Sequence, residues 1–274
     1  MTLVAYGRTS AEQVVYLFRH RVLTLELAKR EILDRYAGQM LGVIWAIGHP
    51  LILVGVFVFL FQVVLKTKIG GTREMPLDFT AYLLSSMIPW LVFQEVLAKG
   101  PTTMHANTAL VKQVVFPIEV LPIKTVVASL ATQLVGTACL IAWVFYHSGG
   151  VPWTYALLPI LWGAQFLAMS GISMILAAVG AYFRDLKEFV QVFNTVGIYL
   201  MPTVYLPEWV PETFRPYLSL NPFSHMAWCY QDACYFGRLD HPWSWLIFLL
   251  GSVVVFDWGN RLFRKLKVSF GSVL

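Results

Sequence analysis

Residues 30–65, REILDRYAGQMLGVIWAIGHPLILVGVFVFLFQVVL, run from a charged helix-forming segment straight into an apolar one. Val43 to Leu65 carries no Asp, Glu, Lys or Arg, and it exceeds the about 20 residues that an α-helix needs to cross a bilayer. The chain enters a membrane here. Composition agrees, since 58 % of the 274 residues are hydrophobic and 13 % charged, against roughly 25 % charged in soluble domains. A removable signal peptide is not expected: Arg8, Arg19, Arg21, Lys29, Arg30 and Arg35 precede the span, with no short apolar core and small-residue cleavage site.

Upstream, Val14, Phe18, Val22, Leu25, Ile32 and Tyr36 recur at helical spacing, which predicts one amphipathic helix over residues 11–36. Glu26 with Arg30 and Glu31 with Arg35 stand at the supportive i, i+4 distance. Such a helix suits either the headgroup plane or a packed partner.

Downstream, a glycine-rich polar loop (KTKIGGTREMPLD, 66–78) leads to a second apolar segment, Phe79–Ala98, broken by Pro89. Residues 99–118 are too polar to span. Leu121–Phe145 and Trp153–Phe183 follow as the third and fourth segments; in the fourth, Ser173, Ala177 and Ala181 repeat at i+4, a pattern that favours close helix packing in a membrane. RDLKE (184–188) then interrupts. The fifth segment, Phe189–Leu206, is short and contains Asn194, Gly197 and Pro202. Residues 207–242 are rich in Pro and Trp, with Asn221-Pro222 as a helix start, Asn capping and Pro first in the helix. Trp243–Leu262 is the sixth.

Six spans place both termini on one side. Fifteen of the 20 Lys and Arg residues fall on that side and five on the other, so both termini are expected to be cytoplasmic. Topology thus explains the net charge of +5 and nucleic acid is not an expected partner. Cys139, Cys229 and Cys234 match no zinc spacing and are expected as free thiols.

The common catalytic motifs are absent. The sequence has no G-x-x-x-x-G-K-[ST] phosphate loop, no H-E-x-x-H and no G-x-S-x-G; ATP-driven work would need an ATPase on another chain. No catalytic residue, metal ligand or cofactor is assigned. His225, Cys229 and Asp232 fall on one helical face (i, i+4, i+7) and form a candidate acid/base or metal group, against the simpler reading of polar residues turned to water. Ionisable residues deep in spans mark ion pathways; only His49 is deep, while Glu95 lies near a span end and Asp257 has Arg261 at i+4. The aromatic residues Trp45, Phe57, Tyr82, Trp90, Phe193, Tyr199 and Tyr205 stand within or at the ends of spans, as interfacial anchors or as pore-facing rings that stack on sugars. The fifth segment, with Asn194, is the best candidate lining.

In order along the chain come Arg35-Tyr36, Leu41-Gly42, Trp45-Ala46 and Pro50, then Phe116-Pro117-x-Glu119-x-Leu121-Pro122, Phe183-Arg184-Asp185-Leu186-Lys187-Glu188 and Asn221-Pro222. This series resembles the permease subunits of bacterial type-two ABC exporters of lipid-linked polysaccharide, the O-antigen, capsule and teichoic acid exporters.

The resemblance implies an all-α integral membrane protein of six transmembrane helices, with an N-terminal amphipathic interface helix and short re-entrant helices within 207–236. It implies a single domain, 1–274: a cytoplasmic amphipathic segment (1–42), the spans (43–263) and a cytoplasmic tail (264–274). The implied setting is the bacterial inner membrane, with a channel formed between two copies around spans one and five and two copies of an ATP-binding cassette subunit as partners. A coupling helix at about Thr103–Val114 and the RDLKE turn would touch the ATPase, through His105, Asn107, Lys112, Phe116, Pro117, Glu119, Arg184 and Asp185. Arg30, Arg35, Tyr36 and Trp45 would meet the lipid-linked substrate as it arrives. Two other classes stay open: an ion-coupled secondary carrier, disfavoured by the lack of mid-membrane carboxylates, and a membrane-embedded enzyme of glycan or lipid metabolism resting on His225 and Asp232.

Overall fold

The computed structural model describes residues 10–64, 75–113 and 116–274, all helix, turn and coil with no strand among them. Leu65, residues 66–74 of the first loop, and Val114 at the end of the expected coupling helix lie outside the described residues.

Two helices, α1 (Ser10–Arg19) and α2 (Arg21–Arg35), replace the single helix expected over 11–36. The chain breaks at His20, where φ −95° and ψ 15° leave the helical region and the ring Nδ1 lies 2.9 Å from the Tyr16 carbonyl. Val14, Phe18, Val22 and Leu25 of the expected stripe are exposed. The face that packs is a different one, Thr24 and Ala28, both buried where α2 meets α7 (Val120–Ser148).

α3 (Trp45–Val58) passes directly into a π-turn, Phe59–Val64. α4 (Phe79–Lys99) is followed by a tight turn and two four-residue helices, α5 (Thr103–Ala106) and α6 (Thr108–Val111). Then come α7, α8 (Leu158–Gly180), α9 (Leu186–Gly197), α10 (Arg215–Leu220), α11 (Pro222–Gln231), α12 (Pro242–Leu266) and α13 (Phe270–Val273). Four stretches among the described residues are long and apolar enough to cross a membrane: Phe79–Ala106, Val120–Ser148, Trp153–Gly180 and Pro242–Ser269. The expected first and fifth spans are helical but outside this set; α3 runs on into the π-turn and α9 ends after 12 residues.

Glycines let the spans approach backbone to backbone. A Cβ on Gly171 of α8 would stand 2.4 Å from the Val255 carbonyl oxygen, and one on Gly259 of α12 would stand 2.2 Å from that of Gly171. Small residues admit such contact where lipid supplies no hydrophobic drive. Ser173, Ala177 and Ala181 are buried as their spacing predicts, and the Ser173 hydroxyl donates to the Pro122 carbonyl at 3.1 Å. At the bundle centre Gln165 of α8 donates to the Pro89 carbonyl of α4 (3.2 Å) and accepts from the Tyr230 hydroxyl of α11. One buried amide thus links three helices.

The two ends of the bundle differ. At one end lie the last turns of α4, α8 and α12, the first turn of α7, and α2. At the other lie α11 and the start of α12, where Asn221 caps α11 through Phe223 N–H at 3.0 Å with Pro222 first in the helix, as the sequence predicts.

Candidate functional site

Thr24, Ala28, Glu31 and Arg35, spaced four, three and four apart, share one face of α2. The first two let it sit close to α7; the last two reach into charge. Glu31 accepts from Lys99 Nζ at 2.9 Å and from the Thr125 hydroxyl at 3.3 Å, with Lys124 Nζ 3.8 Å away. Arg35 donates through Nη2 to Glu95, which also accepts from Thr132 (3.3 Å) and lies 3.5 Å from Lys99. The expected Glu31–Arg35 pair is therefore replaced by two cross-helix pairs, and Arg30 turns instead to Asp34 at 3.9 Å. The reason is dielectric: Glu31 and Glu95 side chains are only 16 % and 17 % exposed, where an opposite charge is worth more than an i, i+4 partner in water. Burial disfavours the Arg35 charge, yet Glu95 and Tyr36 together more than offset it and the guanidinium pKa rises above its ordinary value.

A cavity of about 710 Å³ opens beside this cluster. Arg35, Lys99, Glu95, Gln94 and Gln39 make its polar end; Trp45, Leu53, Met87, Ile88 and Leu91 make an apolar wall. Asn194 closes one side, donating to the Gln94 carbonyl at 3.2 Å while Gln94 donates to the Asn194 carbonyl at 2.5 Å. An amphiphile with an anionic head fits this division. The structure brings Arg35, Tyr36, Trp45 and Asn194 together here; Arg30, on the exposed face of α2, is not part of it. Sequence reading left out Glu31, Glu95, Lys99 and Lys124 from the site. Their signal was Glu95 and Lys99 at i, i+4 in the last turns of an otherwise apolar helix.

The expected channel aromatics divide. Trp90 (0 % exposed) and Tyr82 (1 %) lie inside this chain's own core: Trp90 presses on Gly197 and packs edge-on to Phe223, and the Tyr82 hydroxyl donates to the Pro202 carbonyl at 3.1 Å. Phe57 is partly buried against the same core. Tyr199 is exposed, Phe193 partly so, and Tyr205 donates its hydroxyl to the Tyr199 carbonyl at 3.1 Å.

The expected coupling helix is broken at Asn107 (φ −118°, ψ 27°), whose amide donates to the Thr103 carbonyl at 2.8 Å and accepts from Lys124 at 3.1 Å. His105, Phe116 and Pro117 are half-buried, while Lys112, Arg184 and Asp185 are exposed. Glu119 is buried and paired with Lys267. Within the chain this pair ties the start of α7 to the end of α12.

His225, Cys229 and Asp232 form no shared reactive centre. Asp232 is fully buried in a π-turn, Asp232–Phe236, and accepts from His241 N–H (3.0 Å), His241 Nδ1 (2.8 Å) and Trp245 Nε1 (3.0 Å). His225 sits between Ser244 Oγ (3.0 Å) and the Ser219 carbonyl (2.9 Å), which makes Nε2 the donor. Cys229 is buried, and all three thiols are free. No group of three metal-ligating residues occurs among the described residues.

The sequence profile of ABC-2 type transporters matches residues 22–233. The chain belongs to the ABC-2 type transporter family. With its four apolar helices, this ABC-2 transporter is a multi-pass membrane protein. It is 24 % identical to the O-antigen export system permease protein RfbA of Klebsiella pneumoniae, over 94 % of this chain and 96 % of that protein. It is 27 % identical to the protein of the same name from Myxococcus xanthus, over 93 % and 96 %. The capsule polysaccharide export inner-membrane protein CtrC of Neisseria meningitidis is 22 % identical, over 84 % and 88 %.

Proposed function

We propose that this chain is the permease subunit of an ATP-driven exporter that moves a lipid-linked polysaccharide, of O-antigen or capsular type, across the bacterial inner membrane. Two copies form the channel and two copies of a separate ATP-binding cassette subunit drive it; the sequence itself has no phosphate loop. The observation that carries the reading is the amphipathic cavity under α2, with Arg35 at its polar end and Trp45 on its wall. A carrier-lipid phosphate docks at Arg35, and the sugar follows past Trp45.

In this reading the protein has six spans, α3 and the α9 segment being the first and fifth, with α10 and α11 re-entrant and both termini cytoplasmic. The exposed Val14, Phe18, Val22 and Leu25 lie in the headgroup plane. The exposed Phe193 and Tyr199 face the second copy across the channel, and Lys112, Arg184 and Asp185 meet the ATPase. An ion-coupled carrier is disfavoured because Glu95 and Asp257 are both ion-paired.

The test is purification with a candidate ATP-binding cassette subunit from the same organism. A stable complex whose ATP hydrolysis rises with lipid-linked glycan supports the reading; a chain that binds no ATPase, or a complex indifferent to the glycan, contradicts it.

A further inference from the structure

Around the polar end of the cavity three cations, Arg35, Lys99 and Lys124, meet two carboxylates, Glu31 and Glu95. One positive charge is in surplus. Glu95 engages Arg35 through Nη2, and Arg35 Nε is a buried donor with no hydrogen-bond partner. A tetrahedral phosphate head presents two acceptor oxygens at once and engages Nη2 and Nε together as a fork, which the single Glu95 oxygen bound to Arg35 does not. The apolar wall of Leu53, Met87 and Leu91 continues from that point and suits a hydrocarbon chain. Glu95 is not stranded when Arg35 leaves it, since Thr132 and Lys99 remain 3.3 and 3.5 Å away. The usual cost of orphaning a buried carboxylate is thereby avoided.

We propose that Glu95 is the resident counter-ion of a phosphate site, holding Arg35 in the empty permease and yielding it to the phosphate head of a lipid. Binding then unlatches the end of α2 from α4, while Glu31 still ties α2 to Lys99 and Lys124. Choosing a polyprenyl phosphate as that lipid rests on the export reading; the exchange itself does not.

The test uses the permease–ATPase complex in nanodiscs, with native mass spectrometry against a long-chain polyprenyl phosphate, phosphatidylglycerol and inorganic phosphate. Glu95→Gln is expected to tighten polyprenyl phosphate binding about fivefold, the scale of a part-exposed pair. Glu95→Asp keeps wild-type affinity, and Arg35→Gln loses binding with or without Glu95→Gln. Unchanged or weaker binding in a folded Glu95→Gln complex overturns the exchange. Should that variant not fold, wild-type hydrogen exchange decides: ligand is expected to speed exchange over residues 31–36, and slowing there overturns the unlatching. Tightening for phosphatidylglycerol alone would assign the site to bilayer lipid and overturn the polyprenyl ligand. Absent polysaccharide export with the Glu95→Gln effect intact removes only the function proposed above.

Discussion

Asp232 and Glu95 are both carboxylates set into an apolar bundle, at opposite ends, and their surroundings differ. Asp232 is wholly enclosed, and its three donors all come from His241 and Trp245, at the start of the helix that follows it. Glu95 borders a 710 Å³ cavity, and its donors come from α2, from α7 and from its own helix. The first arrangement closes a turn and leaves nothing to exchange. The second draws α2, α4 and α7 to one point at the edge of an open cavity.

The sharpest way to break this contrast is Asp232→Ala. It leaves two His241 donors and the Trp245 indole unpaired, and removing one partner of a buried pair costs about 3–5 kcal/mol. Most of the folded, monodisperse protein is expected to be lost in detergent size-exclusion. Gly259→Leu is next: it forces α12 from α8 where backbones touch, and overpacking costs about 1–3 kcal/mol. A lowered Tm with retained insertion is expected. Arg184→Ala touches no core contact, so Tm is expected to hold while export per ATP hydrolysed falls about tenfold, the scale of about 1.4 kcal/mol of coupling; unchanged export would remove Arg184 from the ATPase contact. Smallest is Arg30→Ala. Its pair with Asp34 is solvent-exposed, so neither Tm nor substrate response is expected to move.

Local patterns carried far in the sequence. The four long apolar helices, the Asn221 cap and the buried Ser173, Ala177 and Ala181 follow from composition and spacing alone. The break at His20 did not, because the apolar periodicity of its window continues through it. The direction of Tyr82 and Trp90 was hidden because a span apolar on every side has no periodic face to read. The site was half-legible for a related reason: spacing announces an i, i+4 partner for Glu31, but not Lys99, 68 residues away in sequence, or Glu95, 60 residues from Arg35. Those pairings exist only once α2 lies on the bundle, where low dielectric makes them the stronger choice.

ATP hydrolysis by the reconstituted permease–ATPase complex, with and without lipid-linked glycan, tests the portal under α2 most directly. Arg35→Ala is expected to insert, bind the ATPase and lose the glycan stimulation, while Arg30→Ala keeps it. Full stimulation in Arg35→Ala, or equal loss in both variants, would contradict a substrate site built on the Arg35 cavity.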